Sequence, residues 1–230
     1  MKKVAMCCAV CLVAASAFAA LSKDEVKRLN DSATILGELR NAPDRGIPED
    51  LWSKAECVLV IPSMKKAAFI VGGEYGSGVM SCHRGNAWSA PVFMQLMKGS
   101  WGLQIGAESV DVVILAMNRR GVDKLLENKV SLGADISVAA GPVGRTASAA
   151  TDGKLSAELL SYSRAQGLFA GVNLSGGALL PDKEANERAY GPTLTARNIV
   201  DGKGNIKMAA EASRFVKELE REVRSTTGAK

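Results

Sequence analysis

From Ala55 to Met117 the sequence alternates every few residues between short apolar runs and glycine or turn residues, with no sustained helical period. "CVLVIP" is closed by Pro62. "AAFIVGGEYGSGVMS" is interrupted by Gly72, Gly73, Gly76 and Gly78, and "AWSAPVFMQLM" follows the turn "RGN". Two more runs, 101–105 and 110–117, complete the region. Short strands with interior glycines at bulges or close backbone contacts fit an antiparallel sheet or a partial barrel and exclude a helical bundle. Farther on, Leu132, Ala134, Ile136, Val138 and Ala140 alternate with smaller or polar residues, which predicts one half-buried strand across "LGADISVAAG". "KLSAELLSYSR" and "GLFAGVNLSGGALL" read as further strands.

Helices flank this β region. In "LSKDEVKRLNDSATILGELRN", Ser22 sits in N-cap position with Glu25 three residues later, and Val26, Leu29, Ala33 and Leu36 recur at helical spacing. Pro48 opens a short second helix with acids in its first turn. "RRGVDKLLENK" is a short helix after Met117. Asp182 caps "KEANERAY", "TLTARNIVD" stops at Gly202, and Ala209, Ala212, Val216, Leu219 and Val223 line one stripe of a terminal helix expected to pack on the sheet or the first helix. The predicted fold class is therefore α+β: a glycine-rich antiparallel β-sheet or partial barrel flanked by N- and C-terminal helices.

"MKK", an apolar stretch and the small residues Ala17 and Ala19 make 1–19 a secretory leader, with lipoprotein processing at Cys11 as the alternative. Residues 20–230 then form one domain, periplasmic or secreted. Three of the five cysteines leave with the leader, so Cys57 and Cys82 either pair or stay as thiols in an oxidising setting. Loss of Lys2 and Lys3 lowers the formal net charge from +5 to +3, too mild to indicate nucleic acid. Beyond the leader, the longest apolar run, 112–117, is far short of the ~20 residues of a membrane-spanning helix.

Catalytic patterns are missing from the sequence. His83, the single histidine, falls in the turn-like "SCHRGN"; "GVNLSGG" has Asn173 where a nucleophile elbow needs glycine. The glycine-rich stretches lack a phosphate-loop ending, and Glu108, Asp111, Asp123 and Asp135 match no metal spacing. A non-enzymatic protein without cofactor or metal is the expectation. What recurs instead is paired basic charge at the ends of apolar elements: Lys27 with Arg28, Lys65 with Lys66, and Arg119 with Arg120. Converging on one surface, these pairs would form an anion-binding face, and near a bilayer each basic residue contributes about 1 kcal/mol against anionic headgroups.

"VLVIPSMKKAAFIVGGEYGSGVM", "AWSAPVFMQLMKGSWGLQIGAESVDVVILAMNRRGVDKLL", "LGADISVAAGPVGR" and "AELLSYSRAQGLFAGVNLSGGALLPDKEANERAYG" resemble the successive blocks of the SYLF domain family. The resemblance runs from about Asp24 to about Leu219. It implies a lipid-binding domain, also described as actin-binding in fungal members, that meets anionic phospholipids through an amphipathic N-terminal helix and basic surface. Carried onto this chain, Lys23, Lys27 and Arg28 become headgroup contacts and Val26, Leu29 and Leu36 become inserting residues, unless the helix seals that face against its own domain. Trp88 and Trp101 either anchor at the interface or are buried. In an exported setting, the expected partner is a membrane surface bearing an anionic phospholipid such as phosphatidylglycerol or cardiolipin. The alternative is an envelope structural or protein-interaction module without lipid binding, with an envelope protein as partner.

Overall fold

The computed structural model describes residues 21–40, 46–68, 71–101, 108–144, 157–165 and 168–227; the expected secretory leader, 1–19, lies outside them. Two helices, α1 (Lys23–Arg40) and α2 (Glu49–Lys54), precede five strands: β1 (Cys57–Ala68), β2 (Val71–Arg84), β3 (Ala87–Trp88), β4 (Val92–Trp101) and β5 (Glu108–Ala116). After α3 (Arg119–Leu125) come β6 (Val130–Ser131), β7 (Val138–Ala140), β8 (Leu159–Ala165), β9 (Leu168–Gly171) and β10 (Gly177–Pro181). Three helices follow, α4 (Lys183–Tyr190), α5 (Ala196–Asp201) and α6 (Ser213–Thr227). Within the described residues the strands form one sheet, ordered β6-β10-β4-β2-β1-β5-β8-β7, with β3 on β2 and β9 on β8. All pairings are antiparallel except β7 with β8. The sheet curls into a half-barrel with helices on both sides, the α+β class expected from the sequence.

Strand alternation explains the two cores. Val58 and Val60 of β1 face the layer of α1, α2 and α6, where Leu29, Leu36, Trp52, Phe215 and Leu219 are buried. Leu59 and Ile61 face the opposite side with Val122, Ile199 and Val200 from α3 and α5. Each such large apolar side chain contributes roughly 1.5–3 kcal/mol. In this second core, Cys57 and Cys82 are register partners on β1 and β2 and form a buried disulfide, which settles their pairing. The terminal helix packs on the first as its stripe predicts, with Arg214 donating to Thr34 Oγ1 at 3.3 Å.

Three sequence expectations are corrected. Pro62 does not end its strand: β1 continues to Ala68 through a bulge that shifts its register against both neighbours. Ser63 takes a left-handed backbone (φ 49°) there, and its N–H donates to Asp111 Oδ1 at 2.9 Å. A bulge is where an interior strand tolerates proline. Opposite it, a Cβ on Gly78 would overlap the Val60 carbonyl oxygen, and one on Gly76 the Ile61 side chain, so glycine is required for β2 to approach. Second, "LGADISVAAG" is not one strand. Gly133 (φ 88°) turns the chain and Asp135 Oδ2 accepts the Ser131 N–H at 2.7 Å, leaving only Val138–Ala140 extended. A local side-chain bond to backbone here outcompetes the ladder that the alternation suggested. Third, His83 lies in β2, half-buried and stacked on Trp88 with ring centroids 3.9 Å apart. Burial lowers its pKa, with Glu56 opposing.

Candidate functional site

Helix α1 begins with the expected capping box: Glu25 Oε2 accepts the Ser22 N–H at 2.6 Å, and Ser22 Oγ accepts the Glu25 N–H at 3.3 Å. Glu25 is fully buried, and its other oxygen accepts from Arg188 of α4 at 2.7 Å. One turn on, Arg28 donates to Asp182 at 2.7 Å, and toward the other end Glu38 pairs with Arg164 of β8. These anchors stretch α1 from the β10 side of the sheet to the β8 side. Leu29 and Leu36 are 1% and 0% exposed, so both are sealed against the domain and not free to insert, while Val26 is partly buried.

Beside α1 the sheet continues outward, and among the described residues Tyr75 of β2 and Met97 of β4 are exposed there. A groove of about 380 Å³ runs there, with Asp24, Lys27, Arg28 and Asp31 on its helical wall and Ser63, Lys65 and Tyr75 on its sheet floor. The structure thus brings together three of the basic residues singled out in the sequence. They are not equivalent. Arg28 is committed to Asp182, and Lys27 is paired with Asp31, whose hydrogen bond raises the Lys27 pKa. Lys65 is exposed and has no carboxylate partner among the described residues. Lys23, exposed and likewise without one, stands one turn before Lys27 on the same edge of α1.

Register separates Lys65 from Lys66. Both lie inside β1, not between strands as the sequence suggested. Lys66 sits in the cross-strand row Lys98, Glu74, Lys66, Glu108, which alternates in sign at every step. Lys65 sits in the next row, Met97, Tyr75, Lys65, Ser109, where no acid occurs. Tyr75 is 45% and Met97 50% exposed. The sequence reading missed both, because an apolar residue in a strand reads as core; Gly73 and Gly99, exposed on the same face, were the available sign of a bare sheet surface.

Arg119 and Arg120 lie elsewhere. They start α3, just past the β5 end that pairs with Cys57, about 26 Å along β1 from Lys65 at about 3.3 Å per residue. They border a second cleft of about 690 Å³ with Asp135, Ser137 and Glu158. Arg120 contacts Glu158 at 2.9 Å, and Arg119 reaches Asp201 at 3.8 Å and Asp123 at 4.0 Å. The basic pairs therefore do not converge. Trp88 is buried, and the Trp101 side chain lies outside the described residues. No described helix is long and apolar enough to cross a membrane, and no group of three or more His, Cys, Asp or Glu that could hold a metal ion occurs among the described residues.

A curled glycine-rich sheet, sealed by helices and bearing a shallow charged groove, defines an α+β module of the SYLF type. The chain belongs to the Ysc84 family, described as Las17-binding protein actin regulator, whose model matches residues 97–222. It is 35% identical over 164 residues to LAS seventeen-binding protein 3 of Saccharomyces cerevisiae, covering 70% of this chain and 36% of that protein. It is 34% identical over 187 residues to the human SH3 domain-containing YSC84-like protein 1, covering 78% of this chain and 54% of that one. The Xenopus laevis protein of the same name is 35% identical over 172 residues, 74% of this chain and 50% of the relative. The chain thus spans between about a third and about half of the length of these relatives.

Proposed function

We propose that this protein is a non-enzymatic, exported module that binds anionic phospholipid at a membrane surface, and that the uncovered sheet end beside α1 is the binding face. The observation that carries the reading is Lys65: an exposed ammonium without a carboxylate partner among the described residues, bordering an open groove and two exposed apolar side chains. Lys23, exposed and likewise without a carboxylate partner among the described residues, adds positive charge at the start of α1. The attraction is long-range and weak per residue, so it is screened by salt. An oxidising compartment, where the Cys57–Cys82 disulfide persists, agrees with the leader in 1–19.

The test is co-sedimentation of the protein with phosphatidylcholine vesicles, with and without phosphatidylglycerol or cardiolipin, at low and high salt. Selective binding to the anionic vesicles that fades with salt is expected. Equal recovery with neutral and anionic vesicles, or none with either, would refute the lipid reading. A second reading, a protein-interaction module, draws on the yeast relative's name, LAS seventeen-binding protein 3. An apolar protein interface would hold its affinity as salt rises.

A further inference from the structure

If α1 keeps its apolar face for the core, apolar contact with a bilayer has to come from another element. Exposed large apolar side chains among the described residues are Tyr75, Met97, Val143, Leu168 and Met208. Of these, Tyr75 and Met97 are direct cross-strand partners on β2 and β4, and Lys65 is the partner of Tyr75 on β1. Strands lie about 4.8 Å apart, so the three side chains form a continuous row roughly 10 Å long. The next residues outward on the same face are Gly73 and Gly99, themselves register partners and both exposed, and Gly99 has open space where a Cβ would stand. Tyr75 and Met97 therefore rise from a bare backbone surface.

The chemistry of the row suits a headgroup boundary. Tyrosine combines an apolar ring with a polar tip; the Tyr75 hydroxyl accepts from Ser77 Oγ at 2.9 Å, leaving its own proton to donate. Methionine is flexible and fits irregular apolar surroundings. Lysine carries its charge on a long apolar stem that reaches back to phosphate level. We infer that Met97, Tyr75 and Lys65 are the membrane-contacting foot of the domain: Met97 and Tyr75 enter the headgroup region and Lys65 pairs with a lipid phosphate. This rests on the lipid reading above, and it assigns insertion to the sheet end, whereas the family resemblance assigned it to the first helix.

The experiment compares the unaltered protein with Tyr75→Ser/Met97→Ser and, as a control outside the row, Leu168→Ser. Binding to phosphatidylcholine vesicles with and without phosphatidylglycerol is measured for each. All three positions are about half exposed, and matched melting curves verify folding. The double variant should lose affinity for anionic vesicles about tenfold, with Leu168→Ser unchanged. Independently, Met97→Trp should gain fluorescence that lipids brominated on the acyl chain quench, above the background of the unaltered protein. If the unaltered protein binds anionic vesicles but the double variant binds equally well and the Met97→Trp signal is not quenched, the foot is wrong while the lipid reading stands. If the unaltered protein does not bind at all, the lipid reading fails and takes the foot with it.

Discussion

Arg28 on α1 donates to Asp182 Oδ2 at 2.7 Å, while Asp182 Oδ1 accepts the Ala185 N–H at 3.2 Å and so caps α4. A single carboxylate thus fixes both the start of α4 and the place of the first helix. Arg28→Ala should destabilise the fold by about 2 kcal/mol, since a hydrogen bond to a buried charged group is lost. Chemical denaturation of the two proteins measures it.

The same carboxylate gives the fold an acid limit. Burial alone would raise the Asp182 pKa, but the hydrogen bonds from Arg28 and the Ala185 N–H outweigh it and hold the carboxyl below its usual range. A folded pKa below the unfolded value, about 3.9, means that its stabilisation is complete above that pH. The stabilisation is then lost as pH falls through the folded value. Melting curves taken downward from about pH 6 should fall more steeply below about pH 4 for the unaltered protein than for Asp182→Asn.

Glycine content matters at some positions and not at others. Gly78→Ala forces a Cβ into the Val60 carbonyl oxygen at the β1 bulge and should cost about 2–3 kcal/mol. Gly99→Ala meets open space and should stay within about 0.5 kcal/mol. Equal effects in denaturant titration would contradict the bulge account.

The Cys57–Cys82 bond closes a loop of 25 residues in sequence separation. On the chain-entropy model, its removal in Cys57→Ser/Cys82→Ser should lower stability by about 3–4 kcal/mol. Thiol titration of the unfolded, unreduced protein should find neither cysteine free.

What the sequence revealed best was local. The Ser22–Glu25 box, the Asp182 cap and the stop at Gly202 each depend on residues three or four apart, and each stands where it was read. That β1 runs on past Pro62 depends on Asp111, 48 residues beyond Ser63, reaching back to the Ser63 N–H. The functional surface was half legible. Lys65 was visible as charge, yet its difference from Lys66 depends on which strands lie beside β1 and in what register. Tyr75 and Met97 were hidden because nothing local says that α1 leaves that part of the sheet uncovered.

Charge reversal at the two separated basic sites tests the central claim most directly. Lys65→Glu and Arg119→Glu/Arg120→Glu are compared for binding to phosphatidylglycerol-containing vesicles at low salt. The account predicts a several-fold loss for Lys65→Glu and binding within about twofold of the unaltered protein for the arginine pair, whose guanidiniums face carboxylates at the far end of the sheet. Unchanged binding by Lys65→Glu together with a large loss in the arginine variant would contradict it and move the lipid face to the α3 cleft.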